Sequence, residues 1–482
     1  MIFNSLEFIL FFIITFSLYW AVFRKNARWQ NLFIILASYV FYGWLDWRFL
    51  LLIAFTTIST FVIGAAIDKQ LTNGGRRKKA RWLSTLNICV NVGILLVFKY
   101  FNFFIDSFVD AFSLFGYHIH ATPLKLILPI GISFYTFQAL TYSIDIYQQK
   151  IKPTKDFVSF VAFVSFFPQL LAGPIGRASK LISQFEQKRT FDYNEAVDSV
   201  RQMLWGFFKK VAVADTCAIY VNKVFSDYSN QPSLALIIGA VLFTIQIYAD
   251  FSGYSDIAIG VGRLFGIKLM RNFNVPYFSR NVAEFWHRWH ISLTSWFTEY
   301  IYIPLGGNRV PKWKVVFNTI VVFLVSGLWH GANWTFVVWG AYHALLFIPG
   351  ILLFKRIKYK EIVAVGGAIS YKEVLGILWT FVLATVGWVI FKSDSITDAY
   401  YYLTGIFTHN WSENFSFNIE NKFYVFLACV MFFVEWINRR KEHGLEISNI
   451  KSPILRIAIY YTLFLLVWCL WGGEQQFIYF QF

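Results

Sequence analysis

Charged side chains are scarce in this sequence of 482 residues: Asp, Glu, Lys and Arg together make up only 15% of it. Soluble globular domains usually carry about 25% charged residues. Hydrophobic residues reach 57% and the mean hydropathy is +0.52. Because apolar runs recur along the whole length, and many of them could cross a bilayer as a helix, this composition excludes a soluble protein. It predicts an all-α integral membrane protein with many spans.

Cysteine is also rare. The four cysteines are scattered, mostly within apolar segments: Cys89, Cys217, Cys429 and Cys469. Since they lack the spacing of metal ligands or of a disulfide framework, we expect buried thiols, no disulfide and no bound metal. P-loop and Rossmann glycine motifs are absent as well. The sequence therefore predicts a single multi-spanning domain over residues 1–482 with no bound cofactor.

The net charge of +16 would suit a nucleic-acid-binding protein, but the basic residues are divided into short clusters between apolar runs. Clusters such as 76–81 and 355–360 are typical of cytoplasmic loops under the positive-inside rule. The segment 393–421, by contrast, has acidic residues and no Lys or Arg. We therefore expect membrane lipid rather than nucleic acid as a partner, with both chain termini outside the cytoplasm. The apolar stretch 1–20 is interpreted as a retained first span.

The predicted spans are distributed over most of the chain. They are 3–22, 31–45, 48–67, 84–105, 127–147, 157–175, 233–249, 315–330, 334–354, 374–391, 422–437 and 454–472. The region 177–314 instead mixes charged and aromatic residues. Helices of that composition lie at an interface or line a protein-enclosed cavity more often than they face lipid.

His330 is the first candidate for chemistry, because an ionisable residue within an apolar region is expensive to bury. It closes the run VVFNTIVVFLVSGLWH and precedes GANWTFVVWGAYHALLF. Gly327 and Gly331 on either side would allow close backbone approach or a bent helix. A histidine suits general-base work near neutral pH. A structural histidine bonded between helices is the alternative, and it is the favoured interpretation for His343.

A second polar cluster lies in 272–309, where charged residues alternate with tryptophans. On a helix, Glu284, His287 and Arg288 would share one face, and His290 would point elsewhere. A zinc site is conceivable here, but the spacing is not that of the HExxH motif, so metal binding is disfavoured.

A third cluster contains Asp250 and Asp256, at the end of a predicted apolar span. Two carboxylates there could position a cation or a basic partner such as Arg263 or Arg280. A charge network that holds helices together is an equally good interpretation.

Three motifs in this order, within about 246–343, carry a family resemblance: DFSGYSDIAIGVGRLFG, NFNVPYFSRNVAEFWHRWHISLTSWFTEYIYIPLGGNR and SGLWHGANWTFVVWGAYH. The sequence resembles the membrane-bound O-acyltransferase family, especially the branch of the alginate O-acetyltransferase membrane subunit. Shorter similarities lie at 129–138 and 168–177. The resemblance implies about eleven transmembrane helices, with interfacial and re-entrant helices, around a central tunnel. It places the catalytic core at about 125–345.

The resemblance also implies roles for individual residues. His330 would be the essential catalytic histidine and His290 the second characteristic polar residue. We expect His330 to take the proton of an attacking hydroxyl as an acyl thioester is cleaved, with His290, Trp329 or Asn333 stabilising the oxyanion. The remaining polar residues are expected to support this site: Asp250, Asp256, Glu284, Arg288 and Asn333.

The implied reaction moves an acyl group, expected to be acetyl, from a cytoplasmic thioester to an exported polysaccharide. The donor would be acetyl-CoA or a carrier-bound thioester. An extracytoplasmic, esterase-like partner of the SGNH type would finish the transfer, and the enzyme would lie in the bacterial cytoplasmic membrane. Alginate-like glycans, peptidoglycan and other surface glycans remain open as acceptors.

The C-terminal residues 477–482 read FIYFQF. This spacing of aromatic residues resembles a segment on a partner subunit of the D-alanylation relatives, which is implicated in accepting the acyl group on its tyrosine. By that resemblance Tyr479 would be an acyl relay. An aromatic tail that anchors the chain at the membrane interface is the alternative.

Two interpretations from other classes remain. A transporter or flippase could move an acyl donor or a lipid-linked sugar without catalysis, although inverted repeats are not evident in the sequence. A structural scaffold for a secretion complex is the other. The fate of acetyl transfer when His330 is replaced separates both from an enzyme.

Overall fold

The computed structural model describes residues 1–72, 75–117, 122–124, 129–353, 369–412, 415, 417–472 and 477–478. In these ranges the regular elements are helices and no strand is present. The all-α prediction is thus confirmed.

The first of two compact units comprises Met1–Ser199 and Ala258–Met270. Its helices are α1 (Leu6–Ala21), α2 (Ala27–Gly43), α3 (Phe49–Thr72), α4 (Arg77–Leu95), α5 (Phe101–Ser113), α6 (Ile132–Tyr147), α7 (Phe157–Ser165), α8 (Phe167–Leu170) and α9 (Ala178–Glu186). Buried amides join several of them. The Asn87 side chain of α4 accepts a hydrogen bond from Thr60 of α3 (3.2 Å) and donates one to Ser143 of α6 (2.9 Å). Such bonds between apolar helices fix their register.

The second unit comprises Val200–Ile257 and Arg271–Phe482. Two helices contribute residues to both units: α10 (Tyr193–Phe207) and α12 (Ser233–Leu264). The others are α11 (Thr216–Ser226), α13 (Val282–Arg288), α14 (Ile291–Phe297), α15 (Lys312–His330), α16 (Trp334–Leu353), α17 (Tyr371–Lys392), α18 (Ile396–Thr408), α19 (Ile419–Ile437) and α20 (Pro453–Cys469). A π-helical segment, Phe208–Asp215, continues directly from α10.

Within the described residues, 6 helices are long and apolar enough to cross a membrane. They are Phe49–Thr72, Arg77–Ser113, Ser233–Leu264, Lys312–His330, Trp334–Leu353 and Tyr371–Lys392. The second of these combines α4 and α5 through the π-helical segment Leu96–Tyr100. Two shorter apolar helices, α1 and α20, lie where spans were predicted. The protein is therefore a multi-pass membrane protein, as the composition predicts.

Two predicted spans need correction. The segment 157–175 is not one helix, because α7 ends at Ser165 and Phe166 is non-helical, with ψ 107°. Pro168, near the start of α8, would clash with a helix continuing from α7. The span predicted at 233–249 is instead part of a helix of 32 residues that ends at Leu264. Asp250 and Asp256 consequently lie inside this helix rather than at its end.

Candidate active site

His330 is the last residue of α15, and Gly331 adopts an extended backbone before α16 begins. The two helices pack backbone to backbone. A Cβ on Gly327 would lie 2.2 Å from the carbonyl oxygen of Phe336, and a Cβ on Gly340 would lie 2.4 Å from that of Phe323. Only glycine permits these approaches, so the prediction of close packing beside His330 is confirmed.

The His330 side chain is buried, with 5% of its surface exposed, and it lies among aromatic rings. Its ring centroid is 5.0 Å from that of Trp329, 5.0 Å from that of Trp339 and 5.3 Å from that of Phe391. These rings come from α15, α16 and α17, so three predicted spans build the shell. Such a shell keeps water away from the imidazole and strengthens any electrostatic interaction it makes.

His290 lies between α13 and α14, and its backbone is left-handed, with φ 43°. A non-glycine residue in this region is uncommon and costs about 1–3 kcal/mol, and such residues cluster at functional sites. The ring of His290 is 4.6 Å from Phe251 and 5.8 Å from Trp329. His290 and His330 therefore contact opposite sequence neighbours of one site and share the indole of Trp329. Burial lowers the pKa of His290 to about 3, so its imidazole is neutral at physiological pH.

Asn272 holds the backbone that presents His290. Its carbonyl oxygen accepts a hydrogen bond from the N–H of Ile291 at 2.8 Å, and its side-chain oxygen accepts one from the hydroxyl of Ser292, also at 2.8 Å. Its side-chain amide donates to Ser255 of α12 at 3.3 Å. A fully buried amide with these partners fixes the start of α14 against α12. The sequence analysis did not single out Asn272, because its contacts are between distant segments.

Glu284 and Arg288 share one face of α13, as predicted, and are paired at 2.7 Å. Glu284 also pairs with Arg280 at 3.0 Å, and Arg280 pairs with Glu373 at the start of α17 at 2.9 Å. This buried chain of charges holds α13 to α17. In the described part of the chain, no three His, Cys, Asp or Glu side chains are grouped as metal ligands would be.

Asp250 and Asp256 are paired with lysines rather than with the predicted arginines. The Lys210 ammonium is 2.8 Å from Asp250, and the Lys209 ammonium is 2.6 Å from Asp256. The prediction of Arg263 or Arg280 as partner is wrong, because these form ion pairs with other carboxylates. Arg263 pairs with Glu195 and Asp198, and Arg280 with Glu284 and Glu373.

The lysine pair and its other partners were missed from the sequence. Lys209 also lies 3.9 Å from Glu435 of α19, whose carboxylate accepts a hydrogen bond from the hydroxyl of Tyr248 at 2.8 Å. The signal was present, since Glu435 lies in the apolar run FLACVMFFVEWI and the lysines in GFFKKVAVA. An ionisable residue in such a run calls for a named partner.

The other predicted residues differ in their relation to the histidines. Asn333 caps α16: its side-chain oxygen accepts from the N–H of Thr335 at 3.0 Å, and its amide donates to the carbonyl of Asp394 at 2.8 Å. Nδ1 of His343 accepts a hydrogen bond from the indole N–H of Trp286 at 3.3 Å, as expected of a structural histidine. Tyr479 lies outside the described residues, but Phe477 and Ile478 are described.

An all-helical membrane body with two buried histidines around one tryptophan defines the class of polytopic membrane enzymes. The sequence profile of the membrane-bound O-acyltransferase family matches residues 34–386, and this chain belongs to that family. It is accordingly an O-acyltransferase, which confirms the resemblance on which its site residues were predicted.

Several characterised proteins are similar to this chain over most of its length. A protein of Pseudomonas aeruginosa, named a probable alginate O-acetylase, is 39% identical over 402 residues, which cover 83% of this chain and 74% of the relative. A peptidoglycan O-acetyltransferase of Helicobacter pylori is 34% identical over 410 residues, covering 80% and 75% respectively. A teichoic acid D-alanyltransferase of Bacillus subtilis is 27% identical over 239 residues, covering 47% of this chain and 60% of the relative.

Gly327→Ala is expected to destabilise the protein by about 1–3 kcal/mol, because its new methyl group would overlap the Phe336 carbonyl and force α16 away from α15. The thermal midpoint of the purified protein in detergent measures the effect. Gly93→Ala is the matched control, since no atom lies within 4 Å of a Cβ at that helical glycine. Its midpoint should stay level or rise. Equal midpoints for the two variants would show that the approach of α15 and α16 is not tight.

Proposed function

We propose that this enzyme takes an acetyl group from a cytoplasmic thioester and delivers it across the membrane for O-acetylation of an exported cell-surface polysaccharide. The contact of His330 and His290 with the single indole of Trp329 carries the proposal. It supplies two imidazoles at one buried place in a chain that crosses the membrane many times. Relatives named for alginate and peptidoglycan acetylation support acetyl as the group and a glycan as the acceptor.

The proposed chemistry begins with a hydroxyl oxygen that attacks the thioester carbonyl carbon. A ring nitrogen of His330 takes the hydroxyl proton as the new C–O bond forms, and it returns that proton to the sulfur as the C–S bond breaks. The negative charge that develops on the carbonyl oxygen needs a donor. His290 suits this role because burial keeps its imidazole neutral, so that one ring nitrogen carries a proton to donate. The indole N–H of Trp329 is the second donor proposed, and Asn333 the third.

The proposed architecture around this site is that of the family: about eleven transmembrane helices around a central tunnel, with the catalytic core at about 125–345. The enzyme would lie in the bacterial cytoplasmic membrane with both termini outside. Spanning the bilayer then serves the reaction, since donor and acceptor are on opposite sides.

The proposed donor is acetyl-CoA or a carrier-bound acyl thioester, used as a substrate rather than held as a cofactor. The final transfer would involve an extracytoplasmic SGNH-type partner and the polysaccharide. Tyr479 would accept the acetyl group on its hydroxyl and pass it outward. Phe477 and Ile478, which precede it, are buried close to His290, and this favours a relay over a tail that merely anchors the chain.

The test is acetyl transfer by the full-length protein reconstituted in sealed vesicles. Acetyl-CoA labelled in its acetyl group is supplied on the cytoplasmic face, with the polysaccharide and the extracytoplasmic partner on the other. We expect labelled ester on the far side together with one free CoA thiol on the near side for each ester formed. Intact thioester on the far side, with no free thiol, would instead identify a transporter.

A further inference from the structure

The last described residues of the chain, Phe477 and Ile478, are buried, with 0% and 1% of their surfaces exposed. The Phe477 ring stacks on Tyr254 at 4.6 Å and meets the edge of Phe251 at 5.8 Å. Phe251 lies 4.6 Å from His290 on its other side. One aromatic ring therefore separates this C-terminal segment, defined as residues 477–478, from the candidate active site.

A charged side chain holds the backbone of the C-terminal segment. The N–H of Ile478 donates a hydrogen bond to Oδ2 of Asp250 at 2.7 Å. The other carboxylate oxygen, Oδ1, lies 2.8 Å from the Lys210 ammonium, which is also 2.8 Å from Asp215. Lys210 thus joins two carboxylates, and one of these binds the segment.

This arrangement is chemically unusual for a buried residue. Lys210 and Asp250 each have only 4% of their side chains exposed, and a buried carboxylate is tolerated only when it is paired and hydrogen-bonded. Lys210 supplies the charge, but it occupies one oxygen only. The second oxygen is satisfied by a peptide N–H of the chain terminus, in a charge-assisted hydrogen bond. The pair is therefore built to hold an extended segment at this point of α12.

Lys210 reaches Asp250 from the π-helical segment Phe208–Asp215. The wider turn of a π-helix is rare and is found mostly at functional sites. Here it carries consecutive lysines that both pair with α12, Lys209 with Asp256 and Lys210 with Asp250. Only the second pair touches the C-terminal segment among the contacts of the described residues.

We propose that Asp250, held by Lys210, is a positioning residue that seats the C-terminal segment beside His290 for acyl transfer. The seat is a general one for an extended backbone: a carboxylate oxygen for the amide and an aromatic cleft of Tyr254 and Phe251 for the preceding side chain. Its use in the reaction rests on the proposed function, in which Tyr479 follows this segment as the relay.

The seat is tested by the accessibility of a thiol introduced as Ile478→Cys in the full-length protein. The exposed Cys89, Cys429 and Cys469 are first replaced by serine, while the buried Cys217 is kept. We expect slow reaction with a water-soluble maleimide when Asp250 is present. Adding Asp250→Ala should speed it by about 10- to 100-fold, the value of one hydrogen bond to a charged group.

The matched control is Asp256→Ala, which removes the neighbouring lysine–carboxylate pair of the same helix but makes no described contact with the segment. It should leave the labelling rate within about twofold, a small fraction of one hydrogen bond. If the introduced thiol reacts quickly with Asp250 present, or equally slowly in Asp250→Ala, the seat does not exist. If both aspartate variants speed labelling equally, general loosening explains the result and the proposal fails.

The activity arm separates this proposal from the proposed function. In the vesicle assay, Asp250→Ala should lower kcat for acetyl transfer and leave the KM for the thioester unchanged, because the donor does not touch the seat. Asp250→Asn, which keeps an oxygen that can accept the Ile478 N–H, should recover part of kcat. A raised KM with unchanged kcat would overturn the positioning role. The labelling result does not require activity, so a parent protein that transfers no acetyl group refutes the proposed function alone.

Discussion

His330→Ala is expected to reduce acetyl transfer by about 10²- to 10⁴-fold, the usual contribution of a general base. The imidazole is the ring of α15 that meets the aromatic shell from α16 and α17, at 5.0 Å from Trp339 and 5.3 Å from Phe391. Alanine at this position removes the proton acceptor, and the shell keeps out the bulk water that could replace it. The initial rate of labelled ester formation in sealed vesicles measures the loss.

His343→Ala is the matched control for His330→Ala. Both histidines are buried, and both rings lie 5.0 Å from Trp339. His343 instead accepts a hydrogen bond from Trp286, so its loss should lower stability and leave the transfer rate per folded molecule within about tenfold. A folded His330→Ala protein that retains the parent rate would refute the catalytic role. Equal losses in both variants would mean that the aromatic shell, rather than the His330 base, limits the rate.

The sequence was sufficient to find His330 because it is an ionisable residue in an apolar run, flanked by glycines. Those features are local, and the structure gives the same account of Gly327. The contact of His330 with His290 through Trp329 is not local. The residues lie on separate helices, so only the family resemblance linked them before the fold was known.

The partners of Asp250 and Asp256 could not be predicted because a charge pattern along the chain gives no information on which distant residue lies opposite. The arginines near in sequence were chosen, whereas Lys209 and Lys210 lie on a π-helical segment before α11. Those lysines had been interpreted as charges of an interfacial helix. The length of α12 was underestimated for the same reason: DFSGYSD reads as the end of a span when its carboxylates have no known partner.

Lys209→Met is expected to destabilise the protein by about 3–5 kcal/mol, because it leaves two buried carboxylates without their cation. Lys209 is 2.6 Å from Asp256 and 3.9 Å from Glu435, and only 4% of its side chain is exposed. Methionine fills nearly the same volume, so packing is preserved while the charge is lost. The thermal midpoint in detergent measures the change. Arg48→Met, which breaks an ion pair of an arginine with 59% of its side chain exposed, is the control and should not move the midpoint.

Neutralising the whole cluster separates charge from packing. The triple variant Lys209→Met, Asp256→Asn and Glu435→Gln removes one cation and both anions. The amide oxygens can still accept the hydrogen bonds from Gln202 and from Tyr248. Since a buried ion pair replaced by neutral groups of similar size is often no less stable, we expect this variant to regain most of the midpoint lost by Lys209→Met alone. A triple variant as unstable as the single one would show that contacts of the lysine stem, and not its charge, hold the π-helical segment to α12 and α19.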